Sequence, residues 1–349
     1  VSEHLEIDGR EGEGGGQVLR TALALSCHTG RSVRLVNIRA GREKPGLMRQ
    51  HRTSVLAAAR VANAHVAGAE LGSTELVFEP GPVTPGVFEF DIGSAGATGL
   101  VFQTVLWPLL FATGPSTLML TGGTHVLAAP SFTFLARTFL PCLERMGARV
   151  TLALERSGYH PVGGGRVQAV IEPTSALGAL VLDAEPLAKD LSAVATVSQL
   201  PHDVAARELS TLAGMLAVGK RQLFDRVDRD ARGPGNVVHV EVPLSDGRIE
   251  VFTGFGRRGA AAEKVAHDLA LEVRAFLAAR VAVGEHLADQ LLLPLALGAG
   301  GSFTTTAPSL HTRTNAALIE RFLPVAFRFE DLGEGRHHVV VARRERSGK

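Results

Sequence analysis

The sequence predicts an α/β (α+β) protein: a large domain of repeated helix–strand units with a smaller α/β domain inserted in it. Three observations predict this. Short β-branched runs bounded by Gly or Pro alternate with longer segments whose apolar residues recur every three to four positions. Three of the helical segments, GGGQVLRTALALS, GLVFQTVLWPLLF and ADQLLLPLALGAG, each set a Gln near the start of an apolar run, an echo that suggests a duplicated unit. Between about Leu182 and Arg280 the pattern changes, and Gly-rich apolar elements resume after it.

In chain order, LEID reads as a strand and leads through a Gly-rich turn to the helix QVLRTALALS. The strand SVRLVNI and the helix GLMRQHRTSVLAAARVANA follow, with strands near His65–Val66 and Glu75–Phe78. A helix is expected over Thr98–Phe111, then the strand TLMLTG, one helix over Ser131–Met146, and the strands RVTLAL and RVQAVIE. The segment VSQLPHDVAARELSTLAGML contains a helix, FDRVDRDARGPGN reads as a charged loop, RIEVFTGF as a strand, and AAEKVAHDLALEVRAFLAAR as a helix. The expected division is therefore 1–181 and 281–349 for the large domain and 182–280 for the insertion.

Composition narrows the function classes. The 349 residues suit about two domains at roughly 150 residues each. A hydrophobic fraction of 45% excludes an intrinsically disordered chain, and a net charge of +1 argues against a polybasic coat protein. No run of apolar residues is long enough to span a membrane, and VSEHLEIDG lacks the basic flank and apolar run of a signal peptide. Two isolated cysteines, Cys27 and Cys142, make neither a disulfide framework nor a zinc site and read as core residues of a cytoplasmic protein. Only five of the 36 basic residues are Lys, which leaves 31 Arg. Genome composition and bidentate phosphate recognition both account for that excess.

Several segments carry candidate chemistry. In EGEGGGQVLR a Gly-rich turn opens a helix, where backbone N–H groups can approach an anion, and Glu13, Gln17 and Arg20 lie in or beside that turn. It matches neither a Walker loop nor GxGxxG. The stretch Arg39–Arg52 carries +4 in fourteen residues and spans a strand end and a helix start, positions where α/β folds bind phosphates. Gln103 is the polar exception in an apolar helix, as a structural hydrogen-bonding group or a ligand contact. Asp289 and Gln290 open another apolar helix, either as a cap or to hold a metal or a ribose. Ser309 is an expected N-cap with His311 in the first helical turn. That location disfavours the imidazolium form and suits a nucleophile.

Taken together and in order, EGEGGGQVLR, IRAGREKPGLMRQH, GSAGATGLVFQTVL, GGTHVLAAP, HPVGGG, ADQLLLPLAL and SLHTRTN resemble the RNA 3′-terminal phosphate cyclase family. The resemblance runs from residue 11 to about 324. It implies an ATP-dependent enzyme that converts an RNA 3′-phosphate end to a 2′,3′-cyclic phosphate through a covalent histidyl-AMP, with a divalent metal, Mg2+ or Mn2+. On that resemblance His311 is the nucleophile, and Glu13, Arg20, Arg39 and Arg42 are catalytic. Gln17, Gln50, Gln103, Pro130, His286, Asp289 and Gln290 contact the nucleotide, and Glu13 and Asp289 hold the metal. His286 stands where family members often have Tyr, a position linked to adenine stacking. Two other classes stay open: a non-catalytic RNA-binding relative, and a small-molecule transferase with similar repeated units.

Overall fold

The computed structural model describes residues 4–12 and 14–344. The first unit comprises β1 (Leu5–Asp8), α1 (Gly16–Thr29), β2 (Val33–Val36), α2 (Arg49–Val61), β3 (His65–Ala67) and β4 (Leu76–Glu79). Its sheet has the order β1-β2-β4-β3, with β1 and β2 parallel and the other pairs antiparallel. The second unit comprises β5 (Val87–Asp91), α3 (Thr98–Leu110), β6 (Ser116–Gly122), α4 (Phe132–Phe134), α5 (Leu140–Arg145), β7 (Arg149–Arg156) and β8 (Gly165–Glu172). Its order, β5-β6-β8-β7 with one parallel pair, repeats the first.

A third unit opens with β9 (Leu180–Leu182) and is then interrupted. The interruption holds β10 (Ser192–Ser198), α6 (Asp203–Leu216), β11 (Leu223–Val227), β12 (Gly235–Pro243), β13 (Ile249–Phe255) and α7 (Ala262–Ala279). These strands form a separate sheet, β11-β10-β12-β13, over their own apolar cluster, which runs from Ala193 to Val281. The third unit resumes with α8 (Glu285–Leu297), β14 (Gly301–Thr306), α9 (Leu310–Phe322), β15 (Val325–Gly333) and β16 (Arg336–Arg343). Its order β9-β14-β16-β15 is the same topology again. The three Gln-bearing apolar segments are thus α1, α3 and α8, the first helix of each unit.

The burial pattern explains these elements. Alternate residues of β6 and β8 are buried, as expected for a sheet with one face on the core. Helix α1 is buried from Val18 to Cys27 on all but one position, because it packs against both α3 and α9, and α8 packs against α9 in turn. One continuous apolar core therefore joins all three units. Cys27 and Cys142 are free and buried in it.

Two expectations are corrected. The helix expected over Ser131–Met146 is divided into α4, a π-helical turn at Leu135–Phe139, and α5. The strand β11, Leu223–Val227, overlaps from Phe224 the segment read as a charged loop: its side chains are almost all exposed, and pairing with β10, not apolar alternation, makes it a strand. No helix among the described residues is long and apolar enough to cross a membrane.

Candidate active site

The site is assembled where the three units meet. A side chain on Gly16 would run into the His51 imidazole and lie 2.8 Å from Arg20 Nη1, so the start of α1 lies directly against α2. Gly14 (φ +64°) has the backbone of Gly41 immediately beside it, which brings the Gly-rich turn onto the loop bearing Arg39 and Arg42. Gly12 in the same turn abuts Thr314 of α9.

A chain of polar side chains crosses this junction. Gln103 Nε2 donates to Gln290 Oε1. Gln290 Nε2 donates to Asp289 Oδ2 at 3.1 Å. Gln17 Nε2 donates to both Asp289 oxygens, at 2.7 and 2.9 Å. Gln17 Oε1 then faces His311 Nδ1 at 3.1 Å. Ser309 caps α9 by accepting from the Thr312 N–H at 3.2 Å, which fixes the turn that carries His311. The capping alternative for Asp289 does not hold: α8 begins four residues earlier, at Glu285, so Asp289 is inside the helix and serves the polar chain.

Charge is concentrated beside this chain. Burial lowers the Arg20 pKa to about 10, with Arg39 adding to the effect and Asp289 opposing it. Arg39 is likewise lowered by burial, and its Nη1 donates to the carbonyls of Lys44 and Gly46 at 2.7 and 2.8 Å. The same guanidinium group therefore folds its own loop. His51 is pushed down to about 3, by burial first and then by Arg20, Arg39 and Arg42. Three guanidinium groups close enough to disfavour the His51 cation make this a region of positive potential. In the sequence His51 stands out only as part of a motif; its signal is its position one residue from Gln50 in a cationic stretch. Burial raises the Asp289 carboxyl, while Gln17, His311 and Arg20 oppose that.

The other candidates divide between the site and its edges. Gln50 Oε1 accepts from the Ala97 N–H at 2.7 Å and so holds the loop before α3. Pro130 lies over the start of α3, its carbonyl 3.1 Å from where a Gly99 side chain would be. His286 turns to Glu272 of α7 at 3.4 Å, and that contact raises its pKa. Glu13 lies outside the described residues. A divalent metal here finds Asp289, and no group of three metal-ligating side chains is gathered among the described residues. A Mg2+-type ion needs only one or two carboxylates when substrate phosphates complete its shell; Asp289, whose oxygens also accept from Gln17 and Gln290, is the carboxylate this polar chain offers.

Fold and site together define a three-unit α/β protein in which a polar chain ending at His311 runs beside a cluster of buried arginines and a Gly-rich turn. The model of the family described as RNA 3′-terminal phosphate cyclase matches residues 11–329, and the chain belongs to that family. It is 46% identical over 342 residues to the RNA 3′-terminal phosphate cyclase of Koribacter versatilis, covering 98% of this chain and 96% of that protein. It is 50% identical over 325 residues to the protein of the same name from Ralstonia nicotianae, covering 92% of each, and 45% identical over 330 residues to that of Salmonella agona, covering 95% of each.

Proposed function

We propose that the protein is an ATP-dependent RNA 3′-terminal phosphate cyclase that works through a covalent histidyl-AMP at His311. One observation carries this reading. Gln17 must point its NH2 at the Asp289 carboxylate, because a carboxylate accepts and cannot donate. Its carbonyl oxygen is thereby turned to His311, and a neutral imidazole satisfies it only by keeping its proton on Nδ1. The lone pair is then on Nε2, the atom required for in-line attack on phosphorus.

In the proposed reaction Nε2 of His311 forms a bond to the α-phosphorus of ATP as the bond to pyrophosphate breaks. Arg20, Arg39 and Arg42 offset the charge that builds on the phosphates. The RNA 3′-phosphate oxygen then displaces His311 from AMP. The neighbouring 2′-hydroxyl finally attacks the activated phosphate, closing the 2′,3′ ring and releasing AMP. Adenylation is needed because a phosphomonoester has no good leaving group of its own. Asp289, with Glu13, would hold a divalent metal, which supplies charge neutralisation at the phosphates when bound. Gln50, Gln103, Pro130, His286 and Gln290 are the proposed nucleotide contacts.

The test is incubation with α-labelled ATP and Mg2+ or Mn2+, followed by denaturing electrophoresis and an RNA 3′-phosphate cyclisation assay. The expected result is an acid-labile protein label and a cyclised end, both lost in His311→Ala. A label that persists in His311→Ala overturns the assignment of the nucleophile.

A further inference from the structure

The inserted sheet turns one end toward the site. Strands β10 and β11 are parallel, β12 runs against β10, and β13 runs against β12. Residues 228–234, which join β11 to β12, and residues 256–261, which follow β13, therefore lie at the same end. They carry four exposed guanidinium groups, Arg229, Arg232, Arg257 and Arg258. None of the four has a carboxylate partner among the described residues, and all four stand in two loops at one end of one sheet; some exposed arginines elsewhere are paired, Arg34 with Glu6, Arg137 with Glu241 and Arg280 with Glu185. Of the two acids in these loops, Asp228 is committed. It accepts from the Tyr159 hydroxyl and from the N–H groups of Asp230 and Ala231, each at 3.1 Å. Only Asp230 remains to oppose four cations.

The loops are held in shape. Gly256 donates its N–H to the Asn236 carbonyl at 3.0 Å, and Ala260 closes a turn onto the Arg257 carbonyl at 3.0 Å. The 228–234 loop also lies close against the segments that lead to the catalytic junction. Gly164 leaves 2.8 Å between its missing side chain and Arg232 Cδ. Its neighbour Gly163 stands 2.6 Å, by the same measure, from the Ser94 carbonyl. The Ser94 loop runs on to Ala97, which donates to Gln50, and His51 next to it meets Gly16 and Arg20. Arg49 lies along this line, with Nη1 donating to the Gly93 carbonyl at 3.2 Å.

We propose that the single-stranded RNA segment 5′ of the reacting end passes over the junction of residues 93–97 and 160–165, and that Arg229, Arg232, Arg257 and Arg258 of the inserted sheet hold its phosphodiesters. The proposal rests on the reading of the protein as an RNA-end cyclase and identifies where the body of that RNA lies. It accounts for a chain of net charge +1 binding a polyanion: the cations that face it are collected at the pocket and along one path. Contacts from these guanidinium groups to phosphodiesters carry no base sequence, and Tyr159 at this junction is buried and tied to Asp228, which leaves its ring unavailable for stacking.

The experiment measures binding directly, by fluorescence anisotropy of a labelled 3′-phosphorylated RNA decamer and of a 3′-phosphorylated dinucleotide, over a salt series. The variant is Arg229→Gln/Arg257→Gln/Arg258→Gln, which leaves Arg232 and its packing intact, with thermal melting as the check on folding. The decamer is expected to bind about tenfold more weakly. The slope of log affinity against log salt should fall by about 2, at roughly 0.7 for each phosphate that is no longer neutralised. Dinucleotide binding and α-labelled ATP transfer to His311 should be unchanged. Equal decamer affinity and slope in both proteins overturns the path, as does an equal loss for dinucleotide and decamer. Absence of histidyl-AMP in the unmodified protein counts instead against the cyclase reading, because the anisotropy measurement needs no catalysis.

Discussion

Gln17 shows how much one amide decides. It reads in the sequence as a polar residue at a helix start, yet one end of its amide holds the Asp289 carboxylate and the other faces His311 Nδ1. Gln17→Glu should reverse this arrangement, since a carboxylate cannot donate to Asp289 and places a second negative charge beside it. We expect adenylation to fall by about 10- to 100-fold, the usual effect of losing a partner that orients a reactive ligand. Single-turnover labelling with α-labelled ATP measures it, and an unchanged rate would show that Gln17 does not set the nucleophile. Arg39 teaches a complementary lesson. Its charge was legible in the sequence, but its two carbonyl acceptors were not, because they are brought to it by the folding of its own loop.

At the scale of elements, end signals were legible where they are chemical. Ser309 was expected to cap α9 and does so through its hydroxyl. Ser309→Ala should cost about 1 kcal/mol in urea unfolding, with a larger effect on adenylation because the first turn holds His311. A loss of stability with full activity would separate the cap from the site. Element boundaries set by pairing were not legible: β11 is a strand because β10 lies beside it, although its own side chains face solvent. The π-helical turn at Leu135–Phe139 is similar, since an apolar period does not distinguish it from continuous α-helix.

For the whole molecule, buried titratable groups set opposing trends in stability. Burial raises Glu208 and Glu250 to about 7. The folded protein then keeps protons that the unfolded chain releases above pH 4.5, so this contribution is present at low pH and is lost as pH rises to 7. His51 is lowered to about 3, and His125 and His239 to about 4, in each case by burial first. Their contribution is present above pH 6.5 and is lost as pH falls toward 4. The two trends oppose each other between pH 4.5 and 6.5, and stability should peak near pH 6.5. Glu208 has one oxygen held by Asn236 and the other with no partner. Glu208→Gln should therefore gain stability relative to the unmodified protein between pH 5 and pH 8, by up to about 3 kcal/mol. Urea unfolding at both pH values tests this; the same difference at each would mean that Glu208 does not titrate in that window.

The sequence by itself determined the α/β class, the repeated unit, the cationic stretch, the cap and the family, because these depend on residue type and local spacing. It did not determine that Gln17, Asp289 and His311 form one chain, or that the loops of the inserted sheet face the catalytic junction. Those facts join residues up to 294 positions apart. They exist only because three units of one topology bury their first helices in a common core, so that polar residues from separate units meet at one edge of it. No local pattern encodes that meeting; the packing of the helices does.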